Sequence, residues 1–64
     1  MPQTRTMRVE MVFCCVGIVL NDRGRIIEAP PMFHSWEGAT WERFFTYYER
    51  RGKIKRVKEL NIKF

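Results

Sequence analysis

The chain has few of the residues that small proteins use to compensate for a small core. Its 64 residues include two cysteines and one histidine. Cys14 and Cys15 are neighbours in an apolar run, and neighbouring side chains on a strand point to opposite faces. We therefore expect neither an internal disulfide nor a pair of thiolates on one metal ion. Secreted mini-proteins carry several spaced cysteines, so the composition favours a reducing, cytoplasmic setting.

No hydrophobic run is long enough for a membrane span. The longest one, Met11–Leu20 (MVFCCVGIVL), has about half the length of a span of ~20 residues. Glu10 interrupts the basic residues that precede this run. The polar segment Asn21–Gly24 follows it, where a signal peptide has small residues at its cleavage site. The sequence therefore predicts no export segment and no membrane partner.

Motifs for catalysis are also missing. The chain has no phosphate-binding glycine motif, no paired carboxylates and no histidine-based metal signature. His34, near Ser35 and Glu37, follows a Pro-Pro connector, which is typical of a surface or packing residue. A reactive thiol needs an electropositive, partly exposed site, and Cys14 and Cys15 lie in an apolar strand. We expect a protein that is not an enzyme and has no cofactor or metal.

The long apolar run predicts a strand from Arg8 to Leu20. A chain of about 60 residues buries only ~60% of its unfolded surface and is marginally stable alone. Such a chain covers one face of a sheet, whereas this strand is apolar on both, so we expect a homo-oligomer. One predicted face consists of Val9, Met11, Phe13, Cys15, Gly17 and Val19, and the other of Val12, Cys14, Val16, Ile18 and Leu20.

Turn residues divide the middle of the chain. Asn21–Gly24 predicts a hairpin turn, since Asn and Asp start turns and glycine adopts the left-handed conformation that closes them. A second strand is predicted over Arg25–Ala29 and ends at Pro30 and Pro31, because proline cannot donate to the ladder. Residues 32–37 then either fold over the edge of the core or line a contact surface.

Residues 40–52 carry the signals of a helix. Thr40 is a good N-cap residue, Glu42 suits the positive end of the helix dipole, and Gly52 is a natural stop. Four aromatic residues follow the i, i+3, i+4, i+7 spacing of one helix face, which predicts a core-facing stripe. They are Trp41, Phe44, Phe45 and Tyr48.

The last residues, 53–64, combine two patterns. Ile54 and Val57 have helical spacing, whereas Leu60, Ile62 and Phe64 alternate with polar residues as on a strand. After a glycine stop we favour a strand. The predicted fold is α+β, with a small antiparallel sheet in β-β-α-β order and one helix packed across it. The chain forms a single domain over 1–64, with residues 1–6 as a disordered tail.

From Gly24 to Pro31 the sequence reads GRIIEAPP, and it is followed by Gly38, an aromatic helix and a basic final strand. This order of features resembles a group of very small uncharacterised proteins of bacterial viruses. The resemblance covers most of residues 11–60. In that group a Gly-Gln pair often opens the helix, whereas this chain has Gly38-Ala39. The resemblance implies a viral accessory protein that binds and neutralises a host component in the cytoplasm of an infected bacterium. It implies no catalytic residues.

The formal net charge of +5 favours nucleic acid, anionic ligands or acidic partners. Most of the basic residues follow the helix. They suit either a binding site or a solvated edge strand, where lysines block aggregation. Three aromatic residues lie off the helix stripe and suit either an interface or packing at the edge of the core. The basic residues are Arg50, Arg51, Lys53, Lys55, Arg56 and Lys58, and the aromatic ones are Phe33, Trp36 and Tyr47.

Arginine forks match phosphates and aromatic rings stack on bases. We therefore expect an anionic nucleotide-type ligand held between subunits. Two alternatives remain open: a protein inhibitor that uses an exposed apolar face, and a nucleic-acid-binding module. The candidate ligand-binding residues are Arg43, Arg50, Arg51, Arg56, Trp36 and Tyr47.

Overall fold

The computed structural model of the protein describes residues 3–60, which form one antiparallel sheet with helices on one face. The predicted α+β class is confirmed. The elements are β1 (Arg5–Met11), β2 (Cys15–Leu20), β3 (Ile26–Glu28), a 3₁₀ helix (Pro31–Trp36), α1 (Trp41–Arg50) and β4 (Ile54–Leu60). The sheet has four strands in the order β3-β2-β1-β4, so the chain order is β-β-β-α-β instead of β-β-α-β.

The predicted single strand from Arg8 to Leu20 is wrong, because the chain reverses at residues 12–14. β1 and β2 are neighbours in an antiparallel hairpin, with Val9 opposite Val16. The reversal shifts the alternation of side chains, so that the apolar residues of both strands face the same side of the sheet. The apparent two-faced strand is therefore a hairpin with one apolar face.

The apolar face of this hairpin is the floor of the core. The other face of β1 and β2 is mixed, because the half-buried Val19 shares it with charged residues such as Arg8 and Glu10, so it is not a second continuous apolar face. The argument from a strand with two apolar faces therefore no longer supports a homo-oligomer, and the homo-oligomer stays a prediction. The buried residues of the floor are Met7, Val9 and Met11 on β1 and Val16, Ile18 and Leu20 on β2.

The predicted turn between the second and third strands is present. The side-chain Oδ1 of Asn21 accepts hydrogen bonds from the backbone N–H groups of Arg23 and Arg25, both at 2.9 Å. Gly24 has a φ of 77°, the left-handed conformation that glycine adopts without strain. β3 lies within the strand predicted there.

The 3₁₀ helix packs over the edge of the core, one of the two arrangements expected for this segment. The ring of Phe33 is 2% exposed. Its centroid lies 5.5 Å from Phe44 and 5.6 Å from Tyr48, both edge to face, a favoured arrangement of aromatic pairs. Phe33 is therefore a core residue, and the alternative that it belongs to an exposed aromatic surface is wrong.

α1 begins and ends where the sequence predicts. Thr40 Oγ1 accepts a hydrogen bond from the backbone N–H of Arg43 at 3.3 Å, and Gly52 has a φ of 67° after the last turn. Phe44, in the middle of the predicted stripe, is fully buried, while its neighbours Trp41, Phe45 and Tyr48 are half-buried.

The first and the last secondary-structure elements of the described chain are strands. β4 confirms the predicted final strand over residues 54–60, while the rest of that strand, 61–64, lies outside the described residues. Residues 5 and 6 belong to β1, not to a disordered tail, because Thr6 pairs with both Val19 and Leu60. An ion pair between Arg5 and Glu59 joins β1 to β4 and raises the pKa of the arginine.

Candidate functional site

The exposed side of α1 carries a row of cationic residues around one tyrosine. Arg43, Tyr47 and Arg50 follow the i, i+4, i+7 spacing of one helix face, and Arg51 adjoins them. These four residues are here called the arginine stripe. With Glu42 and Thr46 they border an open depression of about 380 Å³. The structure thus brings together four of the predicted site residues.

Arg51 is held in place by two interactions with Tyr47. Its guanidinium carbon lies 3.6 Å from the centroid of the tyrosine ring, within the range of cation–π attraction. Its Nη1 also donates a hydrogen bond to the Tyr47 carbonyl oxygen at 3.0 Å. The remaining N–H groups of this side chain have no partner within residues 3–60.

Trp36 supports the stripe from the core side. Its ring centroid lies 5.1 Å from that of Tyr47, and its Nε1 donates a hydrogen bond to Tyr48 Oη at 3.3 Å. The indole is half-buried and also contacts Phe44 edge to face. Trp36 therefore packs at the edge of the core and fixes Tyr47, while Tyr47, 40% exposed, faces solvent.

The arginines of the stripe lack carboxylate partners. In the part of the chain that the structure describes, the ion pairs join Arg5 to Glu59 and Arg56 to Glu10. Glu42 is the acidic residue that borders the stripe depression, beside three arginines. The depression, bordered by three arginines and one glutamate, therefore has a positive charge and is open to an anion.

Arg56 lies away from the other predicted site residues. On β4 it is directly opposite Glu10 of β1, and its Nε lies 3.7 Å from Glu10 Oε2. Because Val9 and Met11 face the core, Glu10 and its partner point to the opposite face of the sheet. A ligand on the stripe depression is therefore out of reach of Arg56 in the same molecule.

The sheet face opposite α1 holds a cluster of four residues, of which Arg56 was a predicted site residue and the other three were not. Arg8 lies directly opposite Lys58, next to the pair formed by Glu10 and Arg56. These four residues border a second depression of about 160 Å³. A signal was present in the sequence, because Arg8 and Glu10 alternate with apolar residues as on the exposed face of a strand.

Cys15 is exposed on this same face and does not pack in the core, contrary to expectation. Arg8 Nε donates a hydrogen bond to its Sγ at 3.3 Å, and this bond raises the pKa of the arginine. Cys14 is half-buried and packs against the core, as predicted. The two neighbouring thiols thus have different environments.

Within residues 3–60, no three His, Cys, Asp or Glu side chains lie close enough together to hold a metal ion. The helices of this range are all too short or too polar to cross a membrane.

Comparisons with protein-family models, with curated proteins and with solved structures find no match for this chain. The resemblance to small proteins of bacterial viruses therefore stays an expectation. The function has to be inferred from the two charged faces.

Proposed function

We propose that the protein is a binding protein, not an enzyme, and that it captures an anionic nucleotide-type ligand on the arginine stripe. The observation that carries this proposal is the grouping of Arg43, Arg50 and Arg51 around the exposed ring of Tyr47, without carboxylate partners among residues 3–60. Guanidinium forks bind phosphate oxygens in a bidentate manner. Aromatic and guanidinium planes provide stacking surfaces for bases.

The placement of the side chains suggests a division of roles. The guanidinium carbon of Arg51 lies 3.6 Å from the centroid of the Tyr47 ring, and the side of the guanidinium turned away from the ring would be a platform for a base. Arg43 and Arg50 are seven residues apart on α1, or about 10 Å along the axis at 1.5 Å per residue. They flank the platform and are suited to phosphate groups at either end. Because Arg51 is already oriented, less side-chain entropy is lost on binding.

The resemblance to small phage proteins extends the proposal to a biological setting. The ligand would be a nucleotide-type component of the infected bacterial host, sequestered in its cytoplasm. In a homo-oligomer, either the stripes of two copies would enclose one ligand, or the stripe of one copy would meet Arg56 on the sheet face of another.

The first test asks whether the purified protein contains or binds a nucleotide. The absorbance ratio at 260 and 280 nm, with mass spectrometry of material released on heating, reveals a retained ligand. Calorimetric titration with ATP, and with adenosine as the uncharged comparison, measures binding directly. We expect ATP to bind and adenosine to bind much more weakly, since the phosphates supply the charge that the arginines recognise.

Matched variants assign the binding to the stripe. Arg51→Gln should weaken ATP binding at least tenfold, whereas Arg23→Gln should leave it unchanged. Arg23 is an exposed arginine of the turn between β2 and β3 and borders neither depression. Equal losses in the two variants, or no binding of ATP and no retained nucleotide, would contradict the proposal.

A second candidate function is suggested by the exposed tip of the β1–β2 hairpin. Val12 and Phe13, at the tip of the β1–β2 hairpin, are 61% and 52% exposed. Neighbouring exposed apolar side chains fit a pocket of a protein partner, which favours a protein inhibitor. Phe13→Ser separates the two functions. If this variant keeps ATP binding but loses the effect of the protein on a bacterial host, the inhibitor function is correct.

A further inference from the structure

The sheet face opposite α1 places two cations side by side. Arg8 on β1 and Lys58 on β4 are directly opposite each other in the ladder. Side chains in such positions have Cβ atoms about 4.5–5.5 Å apart, and like charges there are destabilising. The cation pair, Arg8 and Lys58, is therefore an unfavourable arrangement in the free protein.

The nearby carboxylate of Glu10 offsets this charge only in part, because it attracts both Arg8 and Arg56. The acidic residue of the depression, Glu10, lies beside Arg56, with 3.7 Å between its Oε2 and the arginine Nε. Within residues 3–60, Arg8 and Lys58 form no ion pair of their own. The four side chains that border the depression thus carry two unbalanced positive charges.

The surroundings of Arg8 leave room for a ligand. Its Nε donates a hydrogen bond to Cys15 Sγ on β2, and its terminal N–H groups have no hydrogen-bond partner within residues 3–60. Gly17, opposite Arg8 on β2, contributes no side chain. A Cβ atom there would meet one atom, Thr6 Cγ2, at 4.0 Å. The surface beside the cation pair is therefore open.

We propose that Arg8 and Lys58 form a second anion site that binds a phosphate group. The arginine offers a planar fork and the lysine a mobile point charge, a combination suited to phosphate oxygens. Binding would remove the repulsion between the two cations, so the anion would stabilise the fold. The group is supplied either by a small free phosphate compound or by the backbone of a single-stranded nucleic acid.

The site is independent of the stripe, because the sheet separates the two. Arg51→Gln, which should disable the stripe, is expected to leave phosphate binding at Arg8 and Lys58 unchanged. Failure of one site is thus distinguishable from failure of the other.

The experiment measures the melting temperature and amide NMR shifts during titration with pyrophosphate. We expect a rise in melting temperature, with the largest shifts on β1 and β4. Lys58→Glu converts the cation pair into an ion pair, so the anion-free variant should melt higher than the parent and its affinity for pyrophosphate should fall at least tenfold.

Lys55→Glu is the matched control, since it makes the same charge change on the same strand. Lys55 lies where the β1–β4 register is irregular and has no partner across the ladder. It should keep pyrophosphate binding within about twofold. Equal losses in the Lys55 and Lys58 variants, or shifts spread over the whole surface, would overturn the site in favour of nonspecific attraction.

A second arm identifies the source of the phosphate group. A short oligothymidylate is titrated at several salt concentrations. Binding much tighter than that of pyrophosphate, with a log–log salt slope of about −0.7 for each phosphate engaged, indicates a single-stranded nucleic acid. Binding no tighter than pyrophosphate indicates a small free anion. Absence of binding by both probes would refute the proposal.

Discussion

The backbone N–H of Met11 donates a hydrogen bond to the carbonyl oxygen of Cys14 at 2.7 Å, and this bond closes the hairpin between β1 and β2. The next amide, that of Val12, donates to the carbonyl oxygen of Lys53 at 2.8 Å. The hairpin tip is therefore fastened to the start of β4. This connection fixes the register of the central strand and with it the identity of the buried face.

A first prediction tests that face. Ile18→Asp should unfold the protein, because Ile18 is fully buried and an unpaired carboxylate in an apolar core costs several kcal/mol. Val12→Asp, at the exposed tip, should change the free energy of unfolding by less than about 0.5 kcal/mol. Urea denaturation followed by circular dichroism measures both. A parental midpoint for Ile18→Asp would show that the hairpin register is wrong.

A second prediction concerns the aromatic core. Phe44 is fully buried and contacts Phe33, Trp36 and Tyr48. Phe44→Ala should lower the free energy of unfolding by about 3–5 kcal/mol, as large aromatic truncations do. Phe45→Ala, at a half-buried position of the same helix, should cost clearly less. If Phe44→Ala keeps its melting temperature but loses ligand binding, Phe44 belongs to a ligand site and not to the core.

A third prediction addresses the helix cap. Thr40→Ala removes the oxygen that accepts the Arg43 amide hydrogen, so it should destabilise the protein by about 1 kcal/mol. Thr40→Ser should retain most of the stability because it keeps the hydroxyl. Thr46→Ala, in the helix interior, is the control and should cause no comparable loss. Thermal melts of the three variants measure these changes in stability. An equal loss of stability in Thr46→Ala and Thr40→Ala would argue against a capping role for Thr40.

A fourth prediction is the oligomeric state. A core of this size rarely supplies more than about 3–5 kcal/mol alone, so we still expect a homo-oligomer at micromolar concentration. The sheet face opposite α1 carries Arg8, Glu10 and Lys58, so we do not expect it to form a purely apolar interface. Light scattering gives the mass. A monodisperse monomer with a cooperative melt would refute this expectation.

Much of the fold follows from local signals. Asn21 and Gly24 build their turn through hydrogen bonds within five residues of each other, and Thr40 caps its helix through the amide three residues on. Such interactions depend on neighbouring residue types alone. For this reason the turn, the helix and the stop at Gly52 were predictable.

The hairpin at residues 12–14 has no such signal. Val12 and Phe13 are strand-forming residues, and neither has the positive φ that common two-residue hairpin turns require. The reversal depends on the distant carbonyl of Lys53. The available clue was the length of the apolar run, which is far longer than the usual strand of about five or six residues. The buried positions also change from odd to even numbers between Met11 and Val16.

Of the two candidate sites, one follows from local spacing in the sequence and the other from strand pairing. The spacing of Arg43, Tyr47 and Arg50 on one helix face is a property of the sequence, so the stripe was predictable. The separation of Arg56 from it, and the pairing of Arg8 with Lys58, follow from the β1–β4 register. Pairing between strands at opposite ends of the chain cannot be derived from local spacing.

The last prediction distinguishes the classes of ligand by the pattern of losses in one panel of variants. A nucleotide on the stripe requires oriented groups, so Arg51→Ala and Tyr47→Ala should each weaken binding at least tenfold. Lys53→Ala should have little effect, because Lys53 does not border the stripe depression. Salt should weaken binding only moderately, since few phosphates are engaged.

Duplex DNA would give a different pattern, because its phosphates are read as a row of charges. Each neutralised phosphate then adds about −0.9 to the log–log salt slope, and alanine at Lys53, Lys55 or Lys58 should weaken binding by similar factors. A protein partner at the hairpin tip would respond instead to Phe13→Ser, while charge reversals would mainly slow association. Fluorescence anisotropy with labelled ATP and labelled duplex, over a series of salt concentrations, separates these patterns. If every folded variant of the panel keeps full activity in a bacterial host, all three forms of binding are refuted.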